Sequence, residues 1–218
     1  MPALLFAEPS YNGKTQSHWL RALNHPAAME RAAAITALMN LMSQGRVNPS
    51  VLTALRQATE DEDARVRLAA TEALGNFGVD RGLAARNASS PTSTMSALAK
   101  RLEDENANVR DAAVTALAKQ GRASRQQLLP ILAPILSRGT PNARRGALLV
   151  LAQLGDDVQL SEELRISVLR SARDPDAAIR RAALRALAIT PPRPDAAQLL
   201  LGMFSSNDEE IQKTPPTP

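Results

Sequence analysis

One nine-residue phrase recurs along this chain, and no other feature narrows its fold so far. Val66-Arg67-Leu68-Ala69-Ala70-Thr71-Glu72-Ala73-Leu74 returns as Val109-Arg110-Asp111-Ala112-Ala113-Val114-Thr115-Ala116-Leu117 and as Ile179-Arg180-Arg181-Ala182-Ala183-Leu184-Arg185-Ala186-Leu187. Weaker copies are Glu30–Leu38 and Ala143–Leu151. The arginines at 31, 67, 110, 144 and 180 are spaced by 36, 43, 34 and 36 residues. A fixed period of that size means stacked units, each unable to bury its apolar face alone.

Each phrase reads as an amphipathic helix. Val66, Ala70, Ala73 and Leu74 fall at i, i+4, i+7 and i+8, one face of a 3.6-residue period. Alanine at the middle positions lets a neighbouring helix come close. Upstream of three phrases lies an acidic turn: Asp61-Glu62-Asp63, Asp104-Glu105-Asn106 and Asp174-Pro175-Asp176. Short Asp and Asn side chains there can accept from the free N–H groups of the helix that follows. Gly78, Gly121 and Gly155 are expected to close three of these helices. Before each turn a further helix is expected, opened at Asn48-Pro49 in the second unit and running over about 15–24, 92–103, 125–137, 161–172 and 195–204 in the others. Pro130 and Pro134 predict a kink in the 125–137 helix.

An Asp-containing turn, then Val-Arg-x-Ala-Ala-x-x-Ala-Leu and a closing Gly, resembles the HEAT repeat, in particular the bacterial HEAT-like type of the phycobilin lyases. The resemblance covers about residues 14–204. It implies an all-α fold, a right-handed α-solenoid of about five HEAT-like helix pairs plus a C-terminal half-repeat. Two turns depart from the pattern: Pro26-Ala27-Ala28 and Gly139-Thr140-Pro141 lack the usual acids. The resemblance also implies a ladder between adjacent repeats, with Asp61, Asp104 and Asp174 pairing with Arg67, Arg110, Arg144 or Arg180. These charges are then structural, and an exposed pair of this kind contributes at most ~1 kcal/mol.

Composition agrees with helices and argues against most chemistry. The chain has 218 residues, 44% of them apolar, dominated by 39 Ala and 30 Leu, with only 3 Phe, 1 Trp and 1 Tyr. Too few β-branched and aromatic residues remain for a sandwich or barrel. With no Cys, disulfides, thiolate zinc sites and a Cys nucleophile are excluded. Only His18 and His25 are present, without the His-Glu pairs by which some HEAT enzymes hold iron. Phosphate-binding, dinucleotide and nucleophile-elbow motifs are absent. The paired carboxylates Asp156-Asp157, Glu162-Glu163 and Glu209-Glu210 fall in loops or helix starts, where acids favour the helix dipole. No enzymatic activity and no cofactor or metal are expected.

The ends and one insertion stand outside the repeat. Residues 1–13 read as an N-terminal arm, and the apolar Met1–Ala7 as the end of a signal peptide if the true start lies upstream. The expected compartment is the cytoplasm, with export the alternative. The 43-residue step places a surplus loop at 79–94, where Asn87-Ala88-Ser89 matches a glycosylation sequon. A half-repeat around Leu199–Phe204 is expected to cap the stack, followed by a Pro/Thr tail over 205–218.

Charge sets the functional expectation. The net charge of +4 is carried by residues 138–193, which hold ten Arg and six acids. The first and fifth positions after each phrase arginine point away from the alanine face. They give Leu68 and Glu72, Asp111 and Thr115, Arg145 and Leu149, Arg181 and Arg185. A non-enzymatic scaffold binding a protein partner through Glu72, Asp111, Thr115, Arg145, Arg181 and Arg185 is therefore expected. The alternatives are phycobilin lyase-like chromophore handling, which rests on the resemblance, and weak nucleic-acid binding through the basic 138–193 segment. Nucleic-acid binding would want stacking aromatics that this row lacks. No membrane span is expected, because no apolar run approaches ~20 residues.

Overall fold

A computed structural model describes residues 8–43, 49–77, 91–155 and 158–188. The chain divides into two compact units, Met1–Ala116 and Leu117–Pro218. Among the described residues the fold is all-α apart from one minimal hairpin, the helix–turn–helix repetition that the period predicts.

The hairpin opens the first unit. β1 (Ser10–Tyr11) pairs antiparallel with β2 (Lys14–Thr15) around Asn12 and Gly13, both at positive φ, 51° and 70°. Asn-Gly is the dipeptide that tolerates two left-handed residues in a two-residue turn. Thr15 then caps α1 (Gln16–Ala22), its hydroxyl accepting from the His18 N–H at 3.3 Å. The Glu8 carboxylate accepts from the N–H and the hydroxyl of Ser17. The buried Trp19 donates its indole N–H to the Tyr11 carbonyl at 3.3 Å, with the Lys14 ammonium over its ring. Residues 8–13 are thus fastened to the first helix.

α2 (Ala28–Ser43), α3 (Pro49–Ala58), α4 (Ala64–Phe77), α5 (Pro91–Lys100, continued by a 3-10 turn at Arg101–Glu103) and α6 (Ala107–Ala123) follow. α1 packs on α2 and α3 on α4, and the second helices α2 and α4 lie against each other. The surplus loop expected at 79–94 ends earlier than that, because α5 already begins at Pro91. Residues 79–90, the sequon at 87–89 and Gly78 lie outside the described residues.

In the second unit α7 (Arg125–Arg138) pairs with α8 (Pro141–Ala152), and α9 (Glu162–Ser171) with α10 (Ala177–Ala188). First helix packs on first helix, α7 on α9, and second on second, α8 on α10. α7 runs through both Pro130 and Pro134 as one helix. The missing N–H groups leave the carbonyls of Gln126 and Pro130 without helical donors. Both residues are exposed, so water can serve them. The 195–204 helix, the half-repeat and the tail lie outside the described residues, as do Met1–Ala7, Asn48, Asp156-Asp157 and Glu209-Glu210.

The core is the alanine face that the phrase spells out. Val66, Ala70, Ala73 and Leu74 are buried, and so are Val109, Ala113, Ala116 and Leu117, and Ile179, Ala183, Ala186 and Leu187. The weak first copy departs at its head, where Glu30 is exposed. Glycine serves this core in a way the sequence did not suggest. Gly155 follows α8 at φ 86°, as a helix-closing residue should. Gly121, expected in the same role, sits inside α6. A Cβ there would run into Leu128 and lie 2.7 Å from the Leu154 Cδ2. Gly75 likewise lies inside α4, where a Cβ would sit 2.6 Å from the Ala116 Cβ. Both mark close approaches rather than helix ends.

Candidate interaction surface and the arginine ladder

The turns are built by short acidic side chains in a repeated arrangement. Asp61 Oδ1 accepts from the Asp63 N–H at 2.9 Å, and Asp63 Oδ1 from the Arg65 N–H at 2.8 Å, capping α4. Asp104 and Asn106 repeat the pair before α6, as do Asp174 and Asp176 before α10. The acid-free first turn keeps half of it: His25 Nδ1 accepts from the Ala27 N–H at 3.1 Å. At Gly139-Thr140-Pro141 the Thr140 hydroxyl caps α8 instead, accepting from the Ala143 N–H at 3.3 Å.

Four of the five phrase arginines, Arg31, Arg67, Arg110 and Arg180, clamp their own turns. Arg67 Nη1 donates to the carbonyls of Asp61 and Glu62 at 3.0 and 2.9 Å. Arg31, Arg110 and Arg180 grip the carbonyls of His25 and Pro26, Asp104 and Glu105, and Asp174 and Pro175 in the same way. The other edge of the guanidinium reaches the acid of the following repeat. Arg31 is bidentate on Asp61 at 2.8 and 2.7 Å, and Arg67 on Asp104 at 2.8 and 2.9 Å. Arg144 reaches Asp174 through Nη2 at 2.9 Å.

The ladder the resemblance implied is therefore present, with a one-repeat offset that brings in Arg31 and leaves Arg110 without a carboxylate among the described residues. It is also buried rather than exposed at its best rung, where the Arg67 and Asp104 side chains are 6% and 2% accessible. There the surface-pair figure does not apply. Burial would raise the Asp104 carboxyl, but the Arg67 guanidinium and the Asn106 N–H outweigh it, so the group sits below the ordinary carboxylate value. Asp61 is lowered in the same way, burial being overcome by Arg31 and the Asp63 N–H. Asp63 is held well below that value by the Arg65 side chain and N–H.

The residues expected to form a binding row are all on the second helices and all exposed: Glu72 on α4, Asp111 and Thr115 on α6, Arg145 on α8, Arg181 and Arg185 on α10. Thr115 spends its hydroxyl on the Asp111 carbonyl at 3.1 Å. The five charged members have no ion-pair or hydrogen-bond partner for their side chains among the described residues. In the first unit the row is acidic, and in the second it is basic, carried by two adjacent helices. The period singled out Arg31 with the other phrase arginines but not its pairing with Asp61, and no sequence signal marked His25 as the residue that caps the acid-free first turn. Among the described residues no group of His, Asp and Glu could hold a metal ion, and no helix is long and apolar enough to cross a membrane.

Comparison with known proteins places this arrangement. A model of HEAT repeats matches residues 95–166 and 129–214, and a model described as sister chromatid cohesion protein PDS5 matches residues 10–127. A search of curated proteins finds no match. Among solved structures, the chain is similar to a designed armadillo repeat protein in complex with the peptide (KR)4, at 18% identity and TM-score 0.52, over 92% of this chain and 96% of that one. It is similar to the complex of CpcE and CpcF of phycocyanin lyase from Nostoc sp. PCC7120, at 20% identity and TM-score 0.51, over 95% and 77%. It is also similar to the Pds5–Scc1 complex, at 15% identity and TM-score 0.59, over 91% of this chain and 36% of that one. At these identities the likeness is one of fold.

Proposed function

The chain belongs to the HEAT-repeat family, and from that premise we propose that it is a non-enzymatic interaction module whose contact face is the exposed row on the second helices. Its basic part, Arg145, Arg181 and Arg185, takes an acidic segment of a protein partner. One observation carries this reading: these three arginines are exposed and unpaired among the described residues, on two helices packed side by side. The neighbouring phrase arginines Arg144 and Arg180 are engaged, one by Asp174 and the other by the carbonyls of its own turn. Helices that pack directly lie about 8–10 Å apart, so one extended segment of three or four residues can span Arg145 and Arg181. Unpaired like charges on adjacent helices cost stability unless a ligand of opposite sign uses them. The solved relatives bind peptides or proteins in their own complexes, and that supports the same class of partner here.

The test is capture from nuclease-treated lysate of the native organism, comparing the wild-type chain with Arg181→Glu/Arg185→Glu at low and high salt. A protein retained by the wild type, lost from the variant and released by salt supports the reading, provided both proteins melt alike. Equal retention by the variant overturns the proposed face. Binding seen in a parallel untreated lysate but lost on nuclease treatment moves nucleic acid to first place.

A further inference from the structure

The arginine ladder has an open rung. Arg110 opens its helix as Arg31 and Arg67 open theirs, and its Nη1 is clamped by the carbonyls of Asp104 and Glu105 at 2.7 and 3.0 Å. In Arg31 and Arg67 the identical clamp turns the Nε/Nη2 edge toward a carboxylate, gripped at 2.7–2.9 Å. In Arg110 the same edge has no acceptor among the described residues, and the next turn in the chain, Gly139-Thr140-Pro141, carries no acid. The side chain is half-buried, and its Nη1 is held by two carbonyls, which limits the directions its other edge can take.

We infer that Arg110 is a preorganised receptor for one carboxylate of a partner, an Asp or Glu side chain bound bidentately as Arg67 binds Asp104. A guanidinium fork suits a planar carboxylate, and clamping Nη1 removes much of the side-chain freedom that binding would otherwise cost. The inference does not depend on the face formed by Arg145, Arg181 and Arg185. Those arginines have no such clamp among the described residues.

The experiment follows the arginine side-chain Nε–H resonances of the ¹⁵N-labelled full chain by NMR while hexaglutamate is added at constant ionic strength. The expected result is a saturable shift of the Arg110 signal, with a midpoint several-fold below that of Arg145, while the Arg67 signal stays fixed. Arg110→Lys, which cannot form the bidentate pair, should abolish the tight phase while helicity is kept, although loss of the turn clamp lowers the melting temperature slightly. Arg181→Glu/Arg185→Glu should leave the Arg110 shift in place even if it removes partner capture, which separates failure of this inference from failure of the proposed face. An Arg110 signal that titrates no more tightly than that of Arg145 overturns the proposal. Inorganic phosphate shifting Arg110 as tightly as the peptide overturns its assignment to a carboxylate.

Discussion

The two units solve the same charge problem differently. In the first, Arg31 and Arg67 are each bidentate on the acid of the next repeat, and the Arg67–Asp104 rung is sealed from water. In the second, Arg144 reaches Asp174 by one nitrogen while its buried Nε finds no partner, and its side chain is 29% accessible. The cause is local. An Asp or His at the first turn position fixes the turn through its i+2 N–H, and the arginine then clamps the turn's carbonyls. Thr140 caps α8 by a different bond, three residues on. The first unit therefore spends its repeated charges on structure, whereas the second leaves more of its arginines exposed.

That contrast is broken most sharply at the buried rung. Arg67→Gln leaves the Asp104 carboxylate in the interior with the Asn106 N–H and, as its one remaining cation among the described residues, Arg101 at 3.4 Å. Loss of one partner of a buried pair costs about 3–5 kcal/mol, read as a lower urea midpoint. Acid should shrink this difference. In the wild type the folded-state pKa values of Asp61 and Asp104 are depressed. The stability they contribute is full above the unfolded carboxylate value and is lost as pH falls through the folded one, below about pH 4. In the variant, burial is no longer opposed by Arg67, so protonating Asp104 relieves it. Urea midpoints of the two proteins should converge between pH 7 and pH 3. Parallel curves would mean that Asp104 is not the group left stranded.

How much of this was legible in the sequence follows from how local each cause is. The phrase placed the buried Val, Ala and Leu positions correctly because burial there obeys one helical period. The exposed row at Glu72, Asp111, Thr115, Arg145, Arg181 and Arg185 was legible for the same reason. The partner of each arginine was not, since the one-repeat offset is a tertiary fact. Gly121 looks like a helix-closing residue, yet what decides its place is the approach of Leu128 and Leu154. The hairpin at residues 10–15 is signalled by Asn12-Gly13 alone, with strands too short to show a period.

Gly75→Ala sharpens the packing side of the comparison. Alanine gains about 1 kcal/mol of helix propensity, but its Cβ meets the Ala116 Cβ and Cα, neither of which can rotate away. Overpacking of this kind costs about 1–3 kcal/mol, so a net loss near 1–2 kcal/mol is expected in thermal unfolding. In the second unit Gly121→Ala meets the ends of two leucine side chains, which can move, and should cost less. The reverse order would show that the leucines are the more rigid neighbours.

The second unit's own rung should be cheap to lose. Asp174→Asn keeps the acceptor for the Asp176 N–H and removes one partly solvated ion pair, a change of about 1 kcal/mol or less. A loss as large as that of Arg67→Gln would erase the distinction between the two ladders.

The smallest stability effect is expected on the exposed face, and its sign separates structure from use. Arg181 and Arg185 stand one turn apart on α10, a like-charge pair at i and i+4. Arg181→Glu replaces that repulsion with an acid placed N-terminal to its basic neighbour, the favourable order, for a gain of about 0.3–0.5 kcal/mol. Salt should reduce the gain, because the pair is exposed. The same substitution places a negative charge where an acidic segment would dock, so partner binding should weaken while the melting temperature rises slightly. Had the arginines been kept for stability, the variant would melt lower, and a fall in both quantities would return this face to a structural role.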